Sequence, residues 1–350
     1  MRLINVRKIE EDMVLARDIY HDDRILLCEG CNELEKYRKR LLELGINYIY
    51  VVDRKSEGIE VNDIIHQKIR RESKRRVKRL MNNISLNRRI GFKKIHKSVN
   101  DIIDNIIGDE NLLVNIVDIK NHDDYTFSHS VNVAVLSIMI GIFLGYDRAR
   151  LKKLGIGSML HDIGKVFIPK EILNKPGRLT EEEYEIMKEH PRLGFDFLKK
   201  YKIDICATSR NIVLSHHEKY DGSGYPNKRE NEDIHQFSRI VAVADVFDAL
   251  TSDRVYRKKW PVNEVIEYIK INSGQMFDQR VVRVFLKHIA AYPNGTLLKL
   301  SNGHQAIVEE QNRGFPERPV VRVINNNETY QVINLMDKVD IVIEDTLESE

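Results

Sequence analysis

Residues 159–165 read Met-Leu-His-Asp-Ile-Gly-Lys, and this stretch decides how the chain is read. A helical pattern runs through Leu151–His161 and should stop at Gly164, because glycine commonly ends helices. His161 and Asp162 then sit side by side at a helix end, with Lys165 three residues after Asp162. Upstream lies VNVAVLSIMIGIFLGY, Val131 to Tyr146. It is short for a membrane span and contains Asn132 and Ser137, so it reads as a buried core helix. Downstream, Thr180 with Glu183 is a capping-box pattern that opens another helix. Asp221-Gly-Ser-Gly-Tyr-Pro226 is a loop by composition. A further helix runs through Arg239–Thr251.

Working outward gives four segments. Residues 1–62 form a small N-terminal α/β module, in which the β-rich runs Ile25–Leu27 and Tyr48–Val52 flank a helical pattern that ends at Gly45. Residues 63–120 read as a helical linker region. Its stretch KIRRESKRRVKRL carries eight basic residues and one acid, with Ile65, Ile69, Val77 and Leu80 as an apolar stripe. A linker with a solvated face is the first reading, and a partner-binding or homodimerising helix is the second. Residues 121–292 form the helix-rich domain. Residues 293–350 alternate apolar and polar positions around Asn/Gly turns, as a small antiparallel β unit does. The fold class is therefore mainly α, with an all-helical domain between two small β-containing flanks.

Composition narrows the function. The net charge of +3 gives no case for nucleic acid. Three cysteines argue against a disulfide framework and for a reducing, cytoplasmic setting. The start of the chain lacks the apolar run of a signal peptide. Cys28 and Cys31 have CxxC spacing without a second pair, so they read as part of a turn. No P-loop and no serine nucleophile elbow occur.

Ligand-type residues gather where helices end or turn. His129 lies in YTFSHS, His161-Asp162 in MLHDIGK, His190 in KEHP, His216-His217 in LSHHEKYDGSGYP, and Asp245 in VAVADVFDAL. Imidazole nitrogen with carboxylate oxygen suits iron or manganese, with nickel and zinc as alternatives. A carboxylate can bridge two such ions, and a pair of ions can clamp a phosphoryl group and activate water. Each residue alone is weak evidence. His122, His235, His288 and His304 are read as ordinary core or surface histidines.

Several spaced motifs occur in order: HDIGK, KPGRLT followed by EHP, HHEKYDGSGYP, and VADVFDALTSDRVYR. Over about residues 121–290 the chain resembles the HD-GYP subgroup of the HD phosphohydrolases. The resemblance implies an HD-type helical catalytic domain that hydrolyses cyclic di-GMP to linear pGpG, and on to GMP in many members. It implies one divalent metal on His129, His161, Asp162 and Asp245, and a second on His190, His216 and His217, with Asp162 bridging. Some members hold a third metal with a glutamate where this chain has Tyr125, which implies two metals here; Asp123 and Asp124 are nearby at a different spacing. Lys165 would carry charge at the scissile phosphate, with Asp162 and Asp248 as further catalytic groups. Asp248 would orient a ligand, shuttle a proton to the leaving 3′ oxygen, or serve a purely structural helix-capping role. Gly222, Gly224, Tyr225, Arg254 and Arg257 would contact substrate. The alternatives are a cyclic di-GMP receptor with little hydrolysis, and a hydrolase of another cyclic dinucleotide.

Overall fold

The computed structural model describes the chain except residues 22–23, 62, 108–124, 203, 253–259, 325–330 and 348–350, and the side chain of Tyr125. The N-terminal module begins with β1 (Arg2–Asn5), β2 (Val14–Leu15), a hairpin of β3 (Ile19–His21) and β4 (Arg24–Leu27), α1 (Arg38–Glu43) and β5 (Tyr48–Val52). β5 lies between β1 and β2, antiparallel to both. Alternate residues of these strands point inward, so Ile4, Leu15, Ile49 and Val51 meet Leu34 and Leu41 in a small core. Gly45 takes φ +71°, which ends the helix as its position implies.

The stretch read as a linker packs differently. It forms α2 (Gln67–Ser85) and α3 (Lys93–Ile107). Val77, Leu80, Met81 and Ile84 of α2 are buried, as are Ile95, Val99, Ile102, Ile103 and Ile106 of α3. These side chains share one core with the helices that follow. The apolar stripe considered for dimerisation is thus covered within the chain, and Lys68, Arg75, Lys78 and Arg79 keep the other face solvated. The basic run in the sequence masked this, because charge dominates composition while a narrow apolar stripe directs packing.

The helical domain continues with α4 (Tyr125–Phe143), α5 (Arg148–Met159), α6 (Lys170–Leu173), α7 (Glu181–Met187), α8 (His190–Leu198), α9 (Ala207–Ser215), α10 (Gln236–Leu250), α11 (Val262–Ile271) and α12 (Gln279–His288). α4 packs on α5 and α10. Its window Thr126–Phe143 is apolar enough to cross a membrane but is 78% buried inside the protein, so it is a core helix. Capping fixes where helices begin. Asp147 accepts from Arg150 N at 2.8 Å to open α5, and Asp278 accepts from Arg280 N at 2.8 Å to open α12. At α7 the Thr180–Glu183 capping box is complete.

After α12 the chain turns into β6 (Leu297–Leu300), β7 (Gln305–Glu310), β8 (Val320–Val323), β9 (Gln331–Asn334) and β10 (Ile343–Thr346). They form one antiparallel sheet in the order β10-β6-β7-β8-β9. This sheet touches the N-terminal module. Arg322 donates to Glu57 O at 2.7 Å, and Asn294 donates to Glu60 O at 3.0 Å. The chain's two flanks therefore meet beside the helical domain.

Candidate metal centre

Five elements deliver the predicted ligands to one buried spot. His129 lies on the second turn of α4. His161 and Asp162 follow α5, just before a 3-10 turn at Ile163–Phe167. His190 is the first residue of α8, His216 and His217 follow α9, and Asp245 lies within α10. The side chains fall into two groups that could each hold a cation. Asp162, His190, His216 and His217 form one, and His129, His161 and Asp245 form the other.

Asp162 stands between the groups and is 1% exposed. Its Oδ1 faces His190 Nε2 at 3.3 Å and His216 Nε2 at 3.9 Å. Its Oδ2 faces His161 Nε2 at 3.3 Å and His129 Nε2 at 3.8 Å. Asp245 closes the second group, with Oδ1 3.0 Å from His129 Nε2 and Oδ2 3.8 Å from His217 Nδ1.

The outer nitrogens of four rings are pinned. His161 Nδ1 lies 2.7 Å from Ser158 O, His190 Nδ1 2.7 Å from Met187 O, and His216 Nδ1 3.0 Å from Val213 O. His129 Nδ1 lies 2.7 Å from Asp248 Oδ2. A carbonyl or carboxylate only accepts, so each Nδ1 carries the proton and each Nε2 turns its lone pair inward. Two inward atoms, His161 Nε2 and Asp162 Oδ1, are buried without a hydrogen-bond partner. Orphaned buried acceptors are costly unless something occupies the space between them. A divalent cation fits this donor set.

Charge balance agrees. Burial opposes ionisation of Asp162, but His161 and Lys165 outweigh it and hold its carboxyl well below the usual range. Burial likewise opposes ionisation of Asp245, and the adjacent His129, with the other imidazoles, outweighs it and holds the carboxyl well below the usual range. Burial, and then the neighbouring His217, pushes His216 well down. Burial, and then His190, lowers His217 to about 3, so that ring is neutral at ordinary pH. Against its own burial, His161 is drawn upward by Asp162 and Asp245.

Gly164 makes the arrangement sterically feasible. It does not lie in the left-handed region, and it sits within the 3-10 turn rather than at a helix end. Its requirement is close approach: a Cβ there would come 1.8 Å from His190 O and 2.7 Å from Gly194 N. The turn bearing Asp162 and the start of α8 therefore meet backbone to backbone.

Around these residues, Lys165 donates to Asp162 Oδ2 at 2.6 Å, and its side chain is 25% exposed. Asp248 is 1% exposed, with His129 on one oxygen and Asn132 on the other, at 2.7 Å and 2.8 Å. Of its three expected roles this geometry suits orienting His129, since the carboxylate lies behind that ring. The Tyr225 ring stacks on His217, with centroids 4.8 Å apart. Gly224 serves its own loop, because a Cβ would come 2.3 Å from Lys219 N; Gly222 takes φ +80°. Arg254 and Arg257 lie outside the described residues, as do His122, Asp123, Asp124 and the Tyr125 side chain. Elsewhere His235 caps α10 through Phe237 N at 3.1 Å, His288 stacks on Phe143, and His304 is exposed. Cys28 and Cys31 are free thiols.

Glu218 follows the two histidines and is expected from the sequence either to support them from behind or to be exposed. It is 3% exposed, and its oxygens accept from Asn227 N at 2.8 Å and Arg229 N at 3.1 Å, so it holds the loop after His217. Asn132 was legible only as a polar interruption of an apolar run, although it lies three residues from His129 and so on the same helix face.

With this geometry in place, comparison with known proteins is informative. Residues 112–281 match the family described as HD domain. A cyclic di-GMP phosphodiesterase of Pseudomonas aeruginosa is 37% identical over 225 residues, covering 64% of this chain and 54% of that protein. The cyclic di-GMP phosphodiesterase response regulator RpfG of Xanthomonas campestris is 42% identical over 144 residues, covering 41% and 38%. A 3′3′-cGAMP-specific phosphodiesterase of Vibrio cholerae is 36% identical over 176 residues, covering 50% and 33%. The chain thus spans about half the length of these relatives, or less.

Proposed function

Because residues 112–281 match the HD domain family, we propose that this chain is a metal-dependent phosphodiesterase whose substrate is cyclic di-GMP and whose product is linear pGpG. One observation carries the reading. A single buried carboxylate, Asp162, turns each oxygen toward a different set of imidazoles. Two divalent cations suit that arrangement. His129, His161, Asp162 and Asp245 would hold one, and Asp162, His190, His216 and His217 the other. Iron or manganese fits a mixed imidazole and carboxylate set, with nickel or zinc as alternatives. Two cations are proposed rather than three because Tyr125 stands where some family members carry a glutamate.

Bound cations would neutralise phosphate charge and lower the pKa of the attacking water. The chain's own groups do the rest. Lys165 offers an ammonium for a non-bridging phosphate oxygen while holding Asp162 in place. Asp248 keeps the His129 ring aimed inward. Tyr225 holds His217 by stacking and presents a ring edge to a purine. Arg254 and Arg257 are assigned to phosphate or guanine edges on the family resemblance. A second substrate, a cyclic GMP-AMP dinucleotide, is favoured by the similarity to the Vibrio cholerae enzyme.

The test is metal content and nucleotide products measured on one anaerobic preparation, with cyclic di-GMP and 3′3′-cGAMP side by side. The expected result is two cations per chain and conversion of cyclic di-GMP to pGpG, both lost in His161→Ala and Asp162→Ala. Tight binding of cyclic di-GMP without pGpG, whether iron or manganese is loaded, would instead make the protein a receptor. Near-wild-type hydrolysis by either variant would refute the ligand assignment.

A further inference from the structure

Asn132 is a polar side chain within the apolar α4, and it is 1% exposed. Its amide is engaged at both ends. Nδ2 donates to Asp248 Oδ1 at 2.8 Å, and Oδ1 accepts from the guanidinium of Arg70 on α2. Arg70 also donates to Asp63 Oδ1 at 2.7 Å, and this pair is largely buried, with side chains 11% and 14% exposed. On the inner side, Asp248 Oδ2 takes the Nδ1 proton of His129 at 2.7 Å. A line of hydrogen bonds therefore runs from Asp63 and Arg70, which precede the HD domain, to a ligand of the cluster.

The donor and acceptor inventory gives this line a direction. A guanidinium donates five N–H groups and accepts none. The amide oxygen of Asn132 must then face Arg70, and its NH2 must face Asp248. The Asp248 carboxylate accepts that NH2 and the His129 ring proton together, which puts the proton on Nδ1. His129 Nε2 is left as a lone pair, 3.0 Å from Asp245 Oδ1. Reverse the amide, and an oxygen would oppose the Asp248 carboxylate, an unpaired buried contact that costs free energy.

We infer that Arg70 and Asn132 are positioning residues that fix the tautomer and orientation of His129, so that the seating of α2 sets how tightly the cluster holds its cation. This inference rests on the proposed metal centre. It makes α2 a lever on that centre: displacement of α2 by the N-terminal module would release the Asn132 amide and weaken the ligand behind it.

The experiment is Zn²⁺ binding to the full chain, read by competition with a chromophoric chelator, beside far-UV circular dichroism and thermal melting. Partners of a ligating histidine typically contribute about 10–100-fold in metal affinity. Asn132→Asp keeps the shape and the Arg70 contact but removes the N–H donor. It should weaken one Zn²⁺ site by about 10-fold or more, with the fold retained. Arg70→Met should do the same without touching α4, and Arg70→Lys should fall between it and wild type. If Asn132→Asp or Arg70→Met melts lower yet binds Zn²⁺ as tightly as wild type, the residues are merely structural and the inference is overturned. If the wild-type chain binds no Zn²⁺, the metal-centre reading fails instead.

Discussion

Gly164→Ala should remove one cation from the centre while leaving the other. The Cβ would be built 1.8 Å from His190 O, against an ordinary contact beginning at 3.4 Å. Separation must therefore grow by about 1.6 Å, and the opposing atoms are backbone, which cannot rotate away. α8 carries His190, whose Nε2 lies 3.3 Å from Asp162 Oδ1. Metal sites tolerate ligand displacements of only about 0.2 Å, so the required retreat exceeds the tolerance roughly eightfold. The cation between Asp162, His190, His216 and His217 should be lost. His129, His161 and Asp245 lie outside α8, and with α8 as the element that retreats they should keep theirs together with Asp162. Overpacking of this kind costs about 3 kcal/mol at the upper end of its range, or about 6–12 °C in Tm. The assay is metal content by mass spectrometry beside thermal melting. Gly91→Ala is the control, since nothing lies within 4 Å of a Cβ there. Two cations per chain and a wild-type Tm in Gly164→Ala would refute the argument that close approach, rather than helix termination, is why residue 164 is glycine.

Three further outcomes follow from other contacts. Lys165→Met should leave metal content unchanged and lower kcat/KM for cyclic di-GMP by about 10–100-fold, the worth of one charge-assisted hydrogen bond of about 1.5–3 kcal/mol; loss of metal with activity per metal unchanged would make Lys165 a support for Asp162 alone. Glu218→Ala removes both acceptors of Asn227 N and Arg229 N. It should cost about 3 kcal/mol in urea unfolding and speed proteolysis of the loop, with Glu218→Gln losing less. In the N-terminal module, burial opposes ionisation of Asp53, but hydrogen bonds from Arg2 and Ser56 outweigh it and depress its pKa below 3.8. A depressed carboxyl stabilises the fold above its unfolded pKa, and that contribution is lost as pH falls through the folded pKa. Urea unfolding of the module should therefore weaken with acidification from about pH 5 to pH 3. Arg2→Ala, which strands a side chain only 3% exposed, should cost about 3–5 kcal/mol at neutral pH and flatten that dependence. An unchanged acid response in Arg2→Ala would remove Asp53 as its source.

Much of the candidate centre was legible because its residues come in local pairs. His161 and Asp162 are adjacent, His216 and His217 are adjacent, and each pair follows a helix. The core status of α4 was legible too, because a helix that is apolar all round has to be covered. The Thr180–Glu183 cap is a contact three residues long, and such contacts can be read directly. Residues 63–120 were harder. Their composition is dominated by exposed lysine and arginine, and which helices cover the stripe of Val77, Leu80 and Ile84 depends on residues far along the chain.

By itself the sequence determined which histidines and aspartates are candidate ligands, their order, the helical class of the domain that carries them and the β-rich flanks. These follow from side-chain chemistry and from periodicities of two and 3.6 residues. Only the tertiary structure decided that Asp162 points each oxygen at a different group of histidines. Only it showed that Gly164 is required by the backbone of α8, that Asp248 stands behind His129, and that Arg70 reaches Asn132 across 62 positions of chain. The reason is physical: hydrogen bonds and close contacts act over a few ångströms of space, and separation along the chain does not fix which groups come that near.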